Sequence, residues 1–187
     1  MRLGILTSLV AALLAVAGTA SAQNTTTAQD KEYILYIDLK DGRVEIQMRP
    51  DLAPNHVAQI KKLAREGKYD GIVFHRVIEG FMAQTGDPTG TGRGGMGDTL
   101  KSEFTTEKHV RGVVSMARSN DPHSARSQFF IVFKDSEFLN TKYTVWGKVT
   151  KGMEFVDKIK RGDPTSGEVA APQDKMIKVQ VAADVKG

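Results

Sequence analysis

Near the start of this chain, two runs of alternating apolar residues flank a single Asp-Gly pair. Tyr33, Leu35, Ile37 and Leu39 share one face of an extended segment, Asp41-Gly42 turns the chain, and Val44, Ile46 and Met48 share one face of the return. A period of two repeated across Asp-Gly predicts an antiparallel β-hairpin with one buried face. Further short β-rich runs follow at 72–78, 112–116, 128–133, 143–149 and 175–181. Two segments carry helical signals instead. The first opens at Pro54, places Val57, Ile60 and Ala64 at i, i+3 and i+7 with Leu63 beside them, and stops at Gly67; the second covers 153–160, between Gly152 and Gly162. Pro at the start and Gly past the end is the order helix termini favour. Many short strands with two helices predict a mainly β, antiparallel barrel or sandwich with the helices packed over its openings. No internal repeat occurs, and no linker interrupts 33–181, so the 187 residues read as one domain.

Composition removes several classes of function. The chain has no cysteine, which excludes a disulfide scaffold, an iron–sulfur cluster, a thiolate zinc site and a cysteine nucleophile. Charged residues at 26% and a mean hydropathy of −0.30 exclude a membrane-embedded bundle and a disordered tail. The net charge of +4 is spread out; its densest groups are Lys61-Lys62 with Arg65, and the stretch 158–161. A nucleic-acid partner needs a basic stripe, so this charge reads as solvated surface. His56, His75, His109 and His123 lack metal-ligand spacing. His75 stands in an apolar run and reads as a core histidine with its hydrogen bonds satisfied. Ser127 lies near His123 without a G-x-S-x-G elbow, which argues against a hydrolase. The stretch Gly90-Thr91-Gly92-Arg93-Gly94-Gly95 contains G-x-G-x-x-G, but Asp87-Pro88 precedes it and no helical pattern follows. That context fails the dinucleotide test and leaves a loop that turns, or that lets backbone approach a ligand. Neither a cofactor nor a metal is expected.

The first 22 residues read as a secretory signal. Arg2 supplies the early positive charge, 5–18 is apolar, and Ala20-Ser21-Ala22 matches an A-x-A cleavage site. The rival reading, a membrane anchor, needs about 20 apolar residues. Residues 23–30 are a polar, flexible lead-in, and 31–187 the folded domain.

Three separated blocks then carry a resemblance. Phe74-His75-Arg76-Val77-Ile78-Glu79-Gly80-Phe81-Met82-Ala83-Gln84-Thr85-Gly86-Asp87 resembles the cyclophilin signature F-H-R-x-x-x-G-F-M-x-Q-x-G-D. Ser115-Met116-Ala117-Arg118 with Ser127-Gln128-Phe129-Phe130-Ile131 is similar to the family's S-M-A…S-Q-F-F-I block. The stretch from Phe138-Leu139-Asn140 to Tyr143 and Trp146-Gly147-Lys148-Val149 is similar to its last active-site segment. The resemblance covers 33–181 and, with the N-terminal signal, is nearest to secreted bacterial members. It implies a closed eight-stranded antiparallel β-barrel capped by two helices, and peptidyl-prolyl cis-trans isomerase activity. It also implies a periplasmic location, proline-containing unfolded or partly folded polypeptides as partners, and a monomer. Residue by residue, it makes Arg76 the catalytic donor with Gln84 orienting it. Phe81, Met82, Phe130 and Leu139 would line the slot for the proline ring. Ala117 and Arg118 would offer backbone groups to the peptide preceding proline, with Gln128 as a side-chain contact and Phe138 and Tyr143 at the remaining site positions. From composition alone, those apolar residues read as ordinary core and Arg76 as half of an ion pair. A proline-binding holding module is the alternative function.

The sequence departs from the family pattern at several places. Phe138 and Tyr143 stand where many members have tryptophan and histidine. Losing the indole N–H removes a donor, so cyclosporin is expected to bind weakly while isomerase activity is retained. Arg118 replaces a common asparagine, and Arg126 a frequent glycine beside the peptide groove, where it would bias substrates toward acidic residues.

Overall fold

The Asp41-Gly42 hairpin forms as the alternation predicts. Strands β1 (Ile34–Leu39) and β2 (Gly42–Met48) pair antiparallel with Leu39 opposite Gly42. Leu35, Ile37, Leu39, Val44, Ile46 and Met48 are all buried. The computed structural model describes residues 28–186; the signal segment 1–22 and lead-in residues 23–27 lie outside it. Ala28–Lys31 form one helical turn, α1. Beyond the hairpin come α2 (Pro54–Arg65), β3 (Arg76–Ile78), β4 (Met82–Thr85), β5 (Val113–Met116), β6 (Phe129–Val132), β7 (Val145–Lys151), α3 (Met153–Val156) and β8 (Lys178–Val181).

The strands make one antiparallel sheet of eight in the order β3-β4-β6-β5-β7-β2-β1-β8. The expected closed barrel does not form: β3 and β8 are the two ends of an open, curled half-barrel. The reason lies on the free edge of β3, which the loop 162–169 occupies. Val77 N–H donates to the Gly167 carbonyl at 2.8 Å, Gly162 N–H donates to the Val77 carbonyl at 2.9 Å, and Val169 N–H donates to the His75 carbonyl at 3.0 Å. With that edge taken, β8 has no ladder to join. A single bridge, Val73 to Lys175, ties the chain before β3 to the chain before β8.

The predicted strand over 72–78 is regular only from Arg76, because residues 72–74 bond across to 174–176 instead. The sequence reading missed β4, whose four residues lie between Gly80 and Gly86. Helix α2 forms as read and turns Val57, Ile60, Leu63 and Ala64 into the core. Its N-cap residue, Ala53, offers no side-chain acceptor. Instead the Glu103 carboxylate accepts the Asn55 and His56 N–H groups, each at 3.1 Å, and so places negative charge at the positive end of the helix. The helix predicted over 153–160 is shorter than expected. After Val156 the chain tightens into turns with i→i+3 bonds from Lys158 and Ile159, and Asp174 draws off the Lys160 N–H at 2.7 Å.

Alternation sorts the sheet into two faces. Val77, Ala83, Val114, Met116, Phe129 and Ile131 point inward to the main core with Trp146. Their strand neighbours Met82, Val113, Phe130 and Val132 form a second, smaller cluster on the outer face.

Candidate active site

Register builds the site on the outer face. Arg76 pairs with Gln84, Gln84 with Phe130, and Phe130 with Ser115, so one row crosses β3, β4, β6 and β5. Because Val77 is fully buried inside, its neighbour Arg76 must point outward, where it is half-buried. Arg76 Nη1 donates to Gln84 Oε1 at 3.3 Å and Nε donates to the Ser166 carbonyl at 3.1 Å. It pairs with no carboxylate among the described residues, which sets aside the ion-pair reading. Gln84 Nε2 donates onward to Gln128 Oε1 at 2.9 Å, and Gln128 Nε2 donates to the carbonyls of Gly92 and Gly94 at 3.0 and 2.7 Å. A guanidinium, two amides and a loop backbone thus form one chain of hydrogen bonds, each orienting the next.

The glycine-rich loop is the far anchor of that chain. Asp87, nearly fully buried, accepts the Thr89 and Gly94 N–H groups at 2.8 and 3.1 Å and the Thr89 hydroxyl at 2.8 Å. Burial works against this carboxylate, yet its loop N–H and hydroxyl donors outweigh burial and hold its pKa below the ordinary range. A Cβ at Gly94 would overlap Asp87 Oδ1, so only glycine lets the loop wrap the carboxylate. No helix follows this loop, in keeping with its reading as something other than a dinucleotide site.

Beside the polar chain lies an apolar slot. Met82, Phe130 and Leu139 are buried, and Phe81, Ala117 and Tyr143 pack partly buried against them. Leu139 arrives on a 3-10 turn, Glu137–Leu139, that also carries Phe138. Phe138 is 62% exposed, its ring 5.3 Å from that of Phe81. Ala117 N–H donates to the Gln128 carbonyl at 2.9 Å, joining slot to amide chain. The Arg118 guanidinium lies 4.6 Å over the Tyr143 ring and donates to the Lys142 carbonyl. Hydrogen bonds thus link Arg76, Gln84 and Gln128 into one chain, and packing gathers Phe81, Met82, Ala117, Phe130, Leu139 and Tyr143 along the outer face beside it, with Phe138 against Phe81 and Arg118 over Tyr143. By contrast, His123 and Ser127 do not pair: His123 Nδ1 accepts the Ser102 N–H, and the buried Ser127 hydroxyl donates to the Gly86 carbonyl. Among the described residues no three His, Asp or Glu side chains are grouped to hold a metal.

The chain is similar to known proteins on the same ground. Residues 34–181 match the family model described as cyclophilin type peptidyl-prolyl cis-trans isomerase/CLD. The chain belongs to the cyclophilin family. It is 50% identical over 192 aligned positions to a probable peptidyl-prolyl cis-trans isomerase of Brucella suis, covering 96% of this chain and 97% of that one. Its fold is similar to that of a cyclophilin from Hirschia baltica (TM-score 0.74, 31% identity, 84% and 76% of the two chains). It is also similar to a Cryptosporidium parvum cyclophilin solved in the presence of the dipeptide Ala-Pro (TM-score 0.73, 28% identity, 79% and 98%). This cyclophilin is accordingly a peptidyl-prolyl cis-trans isomerase.

Three supports of the site escaped the sequence reading. Asp163 accepts the N–H groups of Thr165 and Ser166, both at 2.9 Å, and so shapes the loop whose Ser166 carbonyl steadies Arg76. A Cβ at Gly167 would collide with Ile78 and crowd Arg76 Cγ. Nothing local in the stretch 163–167 ties it to Arg76, 90 positions from Ser166. The third support is His109, buried behind Phe130 with ring centroids 6.4 Å apart. It contacts Asn140 Oδ1 through Nδ1 at 3.1 Å and the Ser115 hydroxyl through Nε2 at 3.0 Å.

His75 is buried as expected, but neither ring nitrogen finds a hydrogen-bond partner among the described residues, which corrects the reading of a satisfied core histidine. Burial pushes both His75 and His109 below the usual imidazole pKa of 6.5, with Asp87 and Asn140 respectively opposing it. The unfolded chain therefore takes up protons that the folded chain refuses. The stability of this cyclophilin should be full above pH 6.5 and decline as pH falls below it. Thermal unfolding followed at successive pH values should show this decline well above the carboxylate range. The pair His75→Gln and His109→Gln should flatten it; a midpoint constant down to about pH 5 would contradict the assignment.

Proposed function

We propose that this cyclophilin accelerates X-Pro rotation in exported proteins as they fold, with Arg76 as the donor to the prolyl amide. The observation that carries this reading is the half-buried guanidinium, without a carboxylate partner among the described residues, fixed by Gln84 and Ser166 beside the slot of Phe81, Met82, Phe130 and Leu139. Amide resonance raises a barrier of about 18–20 kcal/mol to C–N rotation, and X-Pro isomers interconvert over tens to hundreds of seconds. No bond need form to lower it. In the twisted amide the nitrogen becomes pyramidal and regains its lone pair, and a donor aimed at that pair stabilises a state that exists only near the barrier top. Arg76 keeps its charge at every physiological pH and presents a planar fork. With Gln84 and Ser166 holding two of its N–H groups, the rest of the fork is free for substrate. The slot holds the proline ring and Ala117, Arg118 and Gln128 the peptide before it, while Phe138 and Tyr143 close the rim.

The Ala-Pro dipeptide named with the Cryptosporidium neighbour supports proline peptides as the ligand. The signal-like segment 1–22 supports export to the periplasm, with 31–187 as the isomerase domain, acting as a monomer without cofactor. A holding module that uses the same groove is the second reading, favoured by the exposed Phe138 beside Phe81. Arg76→Ala separates the two. Isomerase catalysis predicts loss of proline-peptide turnover; a holding role predicts unchanged suppression of client aggregation together with no physiological need for the lost rate. An export-defective cell rescued by Arg76→Ala as well as by the parent chain would favour holding.

A further inference from the structure

The arginines among the described residues divide into two groups. Arg43, Arg49, Arg65, Arg111 and Arg161 each pair with an Asp or Glu. Arg76, Arg93, Arg118 and Arg126 pair with none among the described residues, and all four lie at the groove. Three of them surround one basin of about 300 Å³ that adjoins the slot at Ala117, Gln84 and Gln128 and has no acidic residue in its lining. The fixed contacts there satisfy geometry without neutralising charge. Arg118 donates to the carbonyls of Lys142 and Ser119, and Arg126 donates to the Gly97 carbonyl at 2.9 and 2.8 Å. Both fans of donors are therefore positioned by backbone, while their positive charge stays unanswered. Arg93 is exposed on the loop that Asp87 and Gln128 hold in place.

We propose that this basin receives an acidic side chain of the substrate, so that preferred peptides carry Asp or Glu upstream of the X-Pro bond. The inference rests on the proline slot and peptide direction given under the proposed function. A concave, single-sign site with low-dielectric walls concentrates the opposite charge, and a guanidinium fork matches a carboxylate in two-point geometry. Lysine would be rejected there by like charge, and a neutral acceptor such as Gln would gain only an uncharged, weaker hydrogen bond from the guanidinium forks. No acid of the protein's own lines the basin, which leaves its charge for the substrate.

The test is a set of proline peptides identical except for Glu, Gln or Lys placed in turn at each upstream position. At one position the Glu peptide should show a KM about three- to tenfold below its Gln twin, the size of one or two partly exposed ion pairs. The Lys peptide should fare worse than either, and the gain should shrink as salt rises past about 0.15 M. Arg93→Gln with Arg126→Gln should erase the gain and leave the Gln peptide's kcat/KM unchanged, while Arg126→Lys should restore part of it. Equal KM for Glu and Gln peptides at every position, with both turned over, overturns the inference and leaves the isomerase reading intact. No turnover of any peptide by the parent chain overturns that reading first, and this inference with it.

Discussion

Phe129→Ala should cost about 3–5 kcal/mol of folding free energy and leave turnover per folded molecule unchanged, whereas its neighbour Phe130→Ala should lower kcat/KM at least about tenfold. The two residues are adjacent in β6 and differ only in the face they occupy. Phe129 is fully buried inside, its ring 5.3 Å from Trp146 and 5.7 Å from Tyr69 in edge-on contact. Removing it leaves a cavity in a core that relaxes only partly. Phe130 sits over His109 and edge-on to Tyr143 in the outer cluster. Its truncation opens onto the groove, where water can enter, so the stability cost is smaller, roughly 1–3 kcal/mol. The slot loses an aromatic wall, and the proline ring loses about 1.5–3 kcal/mol of apolar contact. Urea unfolding and peptide kinetics on both variants check the pair. Turnover lost with Phe129 and kept with Phe130 would contradict the sorting of the sheet into a core face and a working face.

How far such features can be read in advance depends on the range of the force that sets them. Strand alternation and helix termini are local, so the hairpin around Asp41-Gly42 and the helix from Pro54 were legible. Strand β4 was not: Gln84 breaks its apolar run, and what makes it a strand is pairing with β3 and β6. Closure of the sheet is a long-range matter. Gly162 and Gly167 bring a loop to the free edge of β3, and that contact, invisible in any window of sequence, leaves the half-barrel open. The site residues were legible because three blocks carry them in order, yet composition could not tell Phe130 from Phe129. The S-Q-F-F-I block assigned Phe130 to the slot, and register supplies the physical reason, through the row from Arg76 to Ser115. The supports at Asp163, Gly167 and His109 escaped because the groups they steady, Arg76 and Phe130, lie far from them in sequence. Nor did the notion of a satisfied His75 survive, since an apolar run predicts burial but says nothing of partners.

The account rests on Arg76, and its replacement is the second large effect. Arg76 is half-buried on the outer face, so Arg76→Ala frees the Ser166 carbonyl and Gln84 Oε1 to water and should cost at most about 1 kcal/mol of stability. The twisted amide, by contrast, loses its donor. Arg76→Lys keeps the charge but not the fork; one ammonium cannot bridge Ser166, Gln84 and substrate together, so it should recover only part of the rate. The deciding measurement is kcat/KM for a proline peptide on Arg76→Ala, with peptide affinity and the unfolding transition recorded on the same protein. The expected result is a fall of at least about a hundredfold, close to 3 kcal/mol of barrier, with peptide affinity and unfolding little changed. A variant that folds, binds and turns over the peptide as fast as the parent would contradict the account.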